Sequence, residues 1–109
     1  MNREDQLNRN HDKFKDVLDE AEKLRWEKYQ VYGNSYKEFG LVGIAIKLSD
    51  KVARIKNIIN NPKLNKIVAD ESIRDSAIDL LNYAAMFVMT FDENGKETKE
   101  CAEEAVKSK

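Results

Sequence analysis

The chain predicts an all-α fold, a three-helix bundle-like domain with a polar C-terminal tail. Three observations carry that prediction. Apolar residues recur at helical spacing through three long stretches, near 11–32, 41–60 and 70–91. Turn chemistry, Gly33-Asn34 and Asn60-Asn61-Pro62, separates those stretches. Charged residues make up 36% and aromatics 8% of the 109 positions, which suits a helical protein with a thin core.

The first stretch follows a charged, amide-rich segment, Met1 to Asn10, that is expected to fray. From His11, residues Phe14, Val17, Leu18, Ala21, Leu24 and Tyr32 keep the helical period. Gly33 suits the left-handed position that ends a helix. Trp26 and Tyr29 lie off the main apolar line, placed to pack on a neighbouring subunit or the following loop, or to line a pocket. The loop from Tyr32 to Gly40 gathers hydroxyl, amide and ring groups on Tyr32, Asn34, Ser35, Tyr36 and Phe39. That mixture suits a nucleoside, although a plain interhelix loop would carry it too. Ser35 is a candidate cap for the next helix.

In the second stretch Leu41, Ala45, Leu48, Val52, Ile55 and Ile59 form a heptad-like seam suited to a bundle. Opposite lies a second stripe, Gly43, Lys47, Asp50, Lys51 and Arg54, roughly 100° wide at helical pitch. Proline disfavours helix in the residue before it, so Pro62 ends this element. Pro62 to Ala69 reads as a connector, with Leu64, Ile67 and Val68 packing back. Asp70 is a suitable N-cap for the third helix.

That helix separates its chemistry. Glu71, Asp75, Asp79 and Asn82 fall on one stripe, roughly 80° wide, with Ile73, Ala77, Leu80, Ala84, Phe87 and Phe91 opposite. Three carboxylates one turn apart repel one another, each adjacent pair costing a few tenths of a kcal/mol. Something positive must face them, either a metal ion or the cations Lys47, Lys51 and Arg54. Beyond Asn82 the helix is apolar nearly all round, more than so small a domain can bury against itself. A second copy of the chain is the simplest cover, so a homo-oligomer is expected. Asp92 to Gly95 reads as a turn, and 97–107 as a short polar helix or tail.

Composition narrows the function. With 19 basic and 20 acidic residues mixed throughout, net charge −1, there is no strong case for nucleic acid and none for a membrane. The longest apolar run is too short to span a bilayer, and the N-terminus carries no signal core. A cytosolic location, in a bacterial host, is the expectation. One cysteine, Cys101, excludes an intrachain disulfide framework, and it reads as an ordinary free thiol. The lone histidine, His11, excludes His-rich metal sites. No nucleophile elbow or phosphate loop is present, so no catalytic residue is assigned.

What remains is carboxylates and cations on facing helices. Magnesium is the one cofactor this pattern admits, with Asp50, Glu71, Asp75 and Asp79 as ligands bridging phosphate oxygens. Alternatively Lys47, Lys51 and Arg54 bind phosphates directly, with Asp79 and Asn82 orienting them or accepting from ribose or base. In a third reading the stripes pair with each other and hold no ligand.

Three segments, KYQVYGNS, LSDKVARIKNI and DESIRDSAIDLLNYA, in that order resemble the nucleotide modification associated domain family, first type, small helical proteins common in bacteriophages and prophages. The resemblance spans over half the chain. Its matching residues are Tyr32-Gly33-Asn34-Ser35, Asp50-Lys51, Arg54, Asp70-Glu71-Ser72, Asp75, Asp79 and Asn82-Tyr83. Lys47 departs from that pattern, standing where an arginine is usual, which weakens bidentate phosphate contact. The family is grouped with DNA-base hypermodification loci by genomic context. The function expected here is binding of a nucleotide or nucleotide-derived small molecule, in modified-nucleotide metabolism or to sequester a nucleotide signal of antiviral defence. The layout is more weakly similar to the all-helical nucleoside triphosphate pyrophosphatases of the MazG type. Those use an E-E-x-x-E helix followed by E-x-x-D. Here the first acidic cluster is missing and the third helix spaces its carboxylates by four, so magnesium-dependent pyrophosphohydrolysis is the alternative to binding.

Overall fold

The computed structural model describes residues 1–61 and 63–107, with side chains through Asn94. It contains three α-helices, α1 (Arg3–Tyr32), α2 (Gly40–Ile59) and α3 (Lys66–Lys107), and a 3₁₀ segment at Gly33–Lys37. No strand occurs among the described residues. The all-α expectation holds, while each helix boundary shifts for a local reason.

Helix α1 begins at Arg3, so most of the segment from Met1 to Asn10 is part of it. Asn2 supplies the start, its side-chain oxygen accepting from the Asp5 backbone N–H at 2.8 Å. Glu4 and Asp5 in the first turn face the positive end of the helix dipole. The helix stops at Gly33, whose φ of 55° lies where side chains are strained, and whose N–H donates to the Tyr29 carbonyl. Within α1, Trp26 stacks on Tyr29 with ring centroids 6.2 Å apart, and the Arg25 guanidinium sits 4.4 Å over the Tyr29 ring. Ala21 is buried, whereas Leu7 and Phe14 on the same apolar line are exposed. This helix, through Gly33, forms one compact unit of the chain, and residues from Asn34 onward form the other.

In the second unit α2 packs on α3. Two ion pairs set direction and register, Lys51 to Asp79 at 3.1 Å and Lys37 to Glu93 at 2.8 Å. As position rises along one helix it falls along the other, so the helices are antiparallel. The buried and half-buried residues of α2 are Leu41, Ile44, Leu48, Lys51, Ile55 and Ile58, apart from Gly40 and Gly43. This seam is rotated from the expected one: Ala45, Val52 and Ile59 are exposed. Both sets have heptad spacing, because α2 is apolar on more than one side.

The matching line on α3 runs Ala69, Ser72, Ser76, Asp79, Tyr83, Met86 and Thr90, all buried or half-buried. It is unusually polar. Ile73, Leu80 and Phe87 from the expected core face flank it, while Ala77, Ala84 and Phe91 are exposed. Ile44 and Ile78 are the buried apolar residues described in this unit, beside buried Ser76 and Thr90. The Thr90 hydroxyl has no hydrogen-bond partner among the described residues, a condition that costs about 1–3 kcal/mol.

Helix α3 starts at Lys66, four residues before the expected Asp70. Asn65 is the cap, its side-chain oxygen accepting from Ile67 N–H at 2.9 Å and Val68 N–H at 3.4 Å. Lys66 to Ala69 are therefore helix, not connector. At its far end α3 continues past the expected turn at Asp92 to Gly95 and through the polar tail. The Cys101 side chain lies outside the described residues. Ser35 does not cap α2: that position is Phe39, without a side-chain hydrogen bond, and Ser35 sits inside the 3₁₀ segment.

Candidate functional site

The polar stripes expected to converge do so at one point and diverge elsewhere. Asp79, on the α3 line that faces α2, meets Lys51 from the middle of the α2 seam. The Lys51 and Asp79 side chains are 23% and 19% exposed, so this pair is largely withdrawn from solvent. Such an ion pair must offset the desolvation of both charges, and losing either partner leaves the other stranded. Lys51 and Asp79 are thus occupied with each other as part of helix packing. Asn82, one turn on, is half-buried. Glu71, Asp75 and Lys47 are exposed and join no ion pair among the described residues. No group of three or more acidic, histidine or cysteine side chains is placed to hold a metal ion among the described residues. Asp50, Glu71, Asp75 and Asp79 do not form one cage there.

The loop residues divide between the two units. Tyr32 closes α1, exposed, while Asn34 and Ser35 open the second unit, also exposed. Tyr36 is half-buried, with the Lys37 ammonium 5.9 Å from its ring centroid. Phe39 is 77% exposed.

A different constellation gathers where α2 ends and α3 begins. There an open groove of about 520 Å³ is lined by Asp50, Ala53, Arg54, Asn57 and Ile58 from the second half of α2 and by Asn61 from the turn after it. Leu64 from the connector and Val68, Ala69 and Ser72 from α3 complete it. The sequence builds this concavity through its turn. Ile58 accepts from the Asn61 N–H at 3.2 Å, and the Asn61 side-chain oxygen accepts from the Lys63 N–H at 3.0 Å. The chain then re-enters helix at Asn65, leaving the first turn of α3 beside the last turns of α2.

The groove holds two of the expected site residues, Asp50 and Arg54, and three polar ones not expected as site residues, Asn57, Asn61 and Ser72. Asp50 and Arg54 are exposed, and neither has a hydrogen bond or ion pair among the described residues. Asn61 has its oxygen committed to the backbone, so its amide N–H groups are the part left to offer. Ala53, Ile58, Leu64 and Val68 supply apolar wall. A guanidinium, amide donors and a hydroxyl beside an apolar surface suit a small molecule with an anionic group and a flat or apolar body.

No helix among the described residues is long and apolar enough to cross a membrane. No curated protein or solved structure matches the chain, MazG-type pyrophosphatases included. A family model does match, described as nucleotide modification associated domain 1, and it spans residues 28–91, from the end of α1 through the groove and the Lys51–Asp79 pair. That span is more than half of the sequence, and the chain belongs to the nucleotide modification associated domain 1 family.

Proposed function

We propose that this chain is a phage-type protein that binds a nucleotide or nucleotide-derived small molecule in the groove between the end of α2 and the start of α3. The observation carrying the reading is the Arg54 guanidinium, without an ion pair among the described residues and set in a groove with Asn57, Asn61 and Ser72 inside the family-matched segment. Arginine presents a planar fork that matches two phosphate oxygens at once, and it stays charged at any working pH. The ion pair that Lys51 makes with Asp79 supports giving the phosphate role to Arg54. Binding without turnover is favoured over metal-dependent hydrolysis, because no group of three or more carboxylates among the described residues is placed to hold a metal ion. The bound molecule is put to use either in modified-nucleotide metabolism or by being sequestered from a nucleotide-based antiviral defence. The working form is a homo-oligomer, covering apolar residues of α3 that one chain leaves in water. Native mass spectrometry of protein purified from nucleotide-fed or infected cells tests the reading. A co-purifying nucleotide-sized mass is expected, and recovery of ligand-free protein that also gains no mass when mixed with nucleotides would contradict it.

A further inference from the structure

One step along each helix from the observed seam leads to a face that the α2–α3 pair leaves bare. The seam runs through Ile44, Lys51 and Ile58 on α2 and through Ser76, Tyr83 and Thr90 on α3, all buried or half-buried. The residues one place later are Ala45, Val52 and Ile59, and Ala77, Ala84 and Phe91, all apolar and all exposed. One residue turns a helix by about 100°. Because α2 and α3 are antiparallel, the same turn along each chain brings both rows round to one side of the pair. The residues one place earlier turn to the other side. They include Asp50, Asn57, Asp75 and Asn82, the first two of which line the groove. The pair is thus polar on its groove side and apolar on the other, and no charge interrupts either apolar row. Half-buried Leu48 and Leu80 lie between the seam and these rows and continue the face inward.

Its size points to what covers it. Helix α2 has 20 residues, about 30 Å, and two adjacent helices are ~20 Å across, so the face is roughly 600 Å² in projection. A standard protein interface takes about 800 Å² of accessible surface from each partner. A single helix would span half of this width, whereas a second copy of the same pair spans all of it. A patch presented to its own copy closes with two-fold symmetry, and two helix pairs face to face make a four-helix bundle. The short side chains of Ala45, Ala77 and Ala84 suit the close approach of helices that such packing needs.

Resting on the self-association stated above, we propose that two copies pack the apolar sides of their α2–α3 pairs together as a four-helix bundle, leaving both grooves on the outside. Sedimentation equilibrium of the full chain tests this, unaltered and with single lysine substitutions. The unaltered chain is expected to give the mass of two copies at high micromolar concentration. Val52→Lys on α2 and Ala84→Lys on α3 each put a charge into the face of both copies, and each is expected to weaken association at least about hundredfold. Both positions are exposed in the single chain, so helix content by circular dichroism stays unchanged. Asp75→Lys, a larger change of charge on the groove side, is expected to leave the mass at two copies. A mass of one chain, or of more than two, in the unaltered protein overturns the inference without touching nucleotide binding, which native mass spectrometry reads separately. A two-copy mass that either apolar-side lysine leaves in place, or that Asp75→Lys abolishes, overturns this face as the interface while self-association stands.

Discussion

Lys51 and Asp79 show how a residue that looks like a ligand contact becomes a packing element. Each falls on a polar stripe when its helix is read alone. Together they sit on the α2–α3 seam, 3.1 Å apart and largely screened from water. Truncating one strands the other charge in a half-buried place. Lys51→Ala and Asp79→Ala are each expected to lower unfolding free energy by about 1–3 kcal/mol, between the exposed and fully buried limits. The double substitution should cost less than the two singles combined, and urea unfolding of the four proteins reads that coupling. Strict additivity would mean that the pair contributes nothing as a pair. Arg54 and Asp50 present the opposite case: they are exposed and join no ion pair among the described residues.

At the scale of an element, α2 shows what periodicity can and cannot settle. Leu41, Leu48 and Ile55 belong to the expected seam and to the observed one, so the helix and its approximate inward direction were readable from spacing. Their companions were not. Ala45, Val52 and Ile59 give a heptad as good as Ile44, Lys51 and Ile58, and only the packing against α3 chooses between them. A lysine in a seam argues against that seam until its partner aspartate is known to face it. The start of α3 is ambiguous in sequence for a similar reason, since both Asn65 and Asp70 are competent caps and the earlier one wins. The groove was only half legible: Asp50 and Arg54 belong to a visible charged stripe, but Asn57, Asn61 and Ser72 meet only because the connector folds back. Gly43 adds a test of the α2 entrance. A Cβ there would stand 2.6 Å from the Phe39 Cβ, which is fixed to the backbone. Glycine to alanine inside a helix normally stabilises by about 0.5–1 kcal/mol. Here Gly43→Ala is expected to lower the melting temperature instead, and a raised one would show that Phe39 moves aside at little cost.

For the whole molecule, the described buried apolar side chains are few, Ala21, Ile44 and Ile78, while Val88, Met89 and Phe91 of α3 remain exposed. Apolar surface of this kind on one helix favours a second copy over water. Sedimentation equilibrium should therefore give a mass above that of one chain at micromolar concentration. Val88→Lys, which places charge on that surface without touching the groove, should shift the mass toward the monomer. A single-chain mass at high micromolar concentration would contradict self-association. Ligand binding is the more central claim, and it reduces to whether Arg54 holds a phosphate without help from a metal. The most direct measurement is a calorimetric titration with ribonucleoside phosphates, in EDTA and in magnesium, of the unaltered chain and of Arg54→Ala. The account predicts binding that the chelator leaves unchanged and that Arg54→Ala weakens by about 1.5–3 kcal/mol, the scale of a charge-assisted hydrogen bond. Binding that vanishes in EDTA, or magnesium-dependent turnover of a nucleoside triphosphate that Arg54→Ala leaves intact, would contradict it.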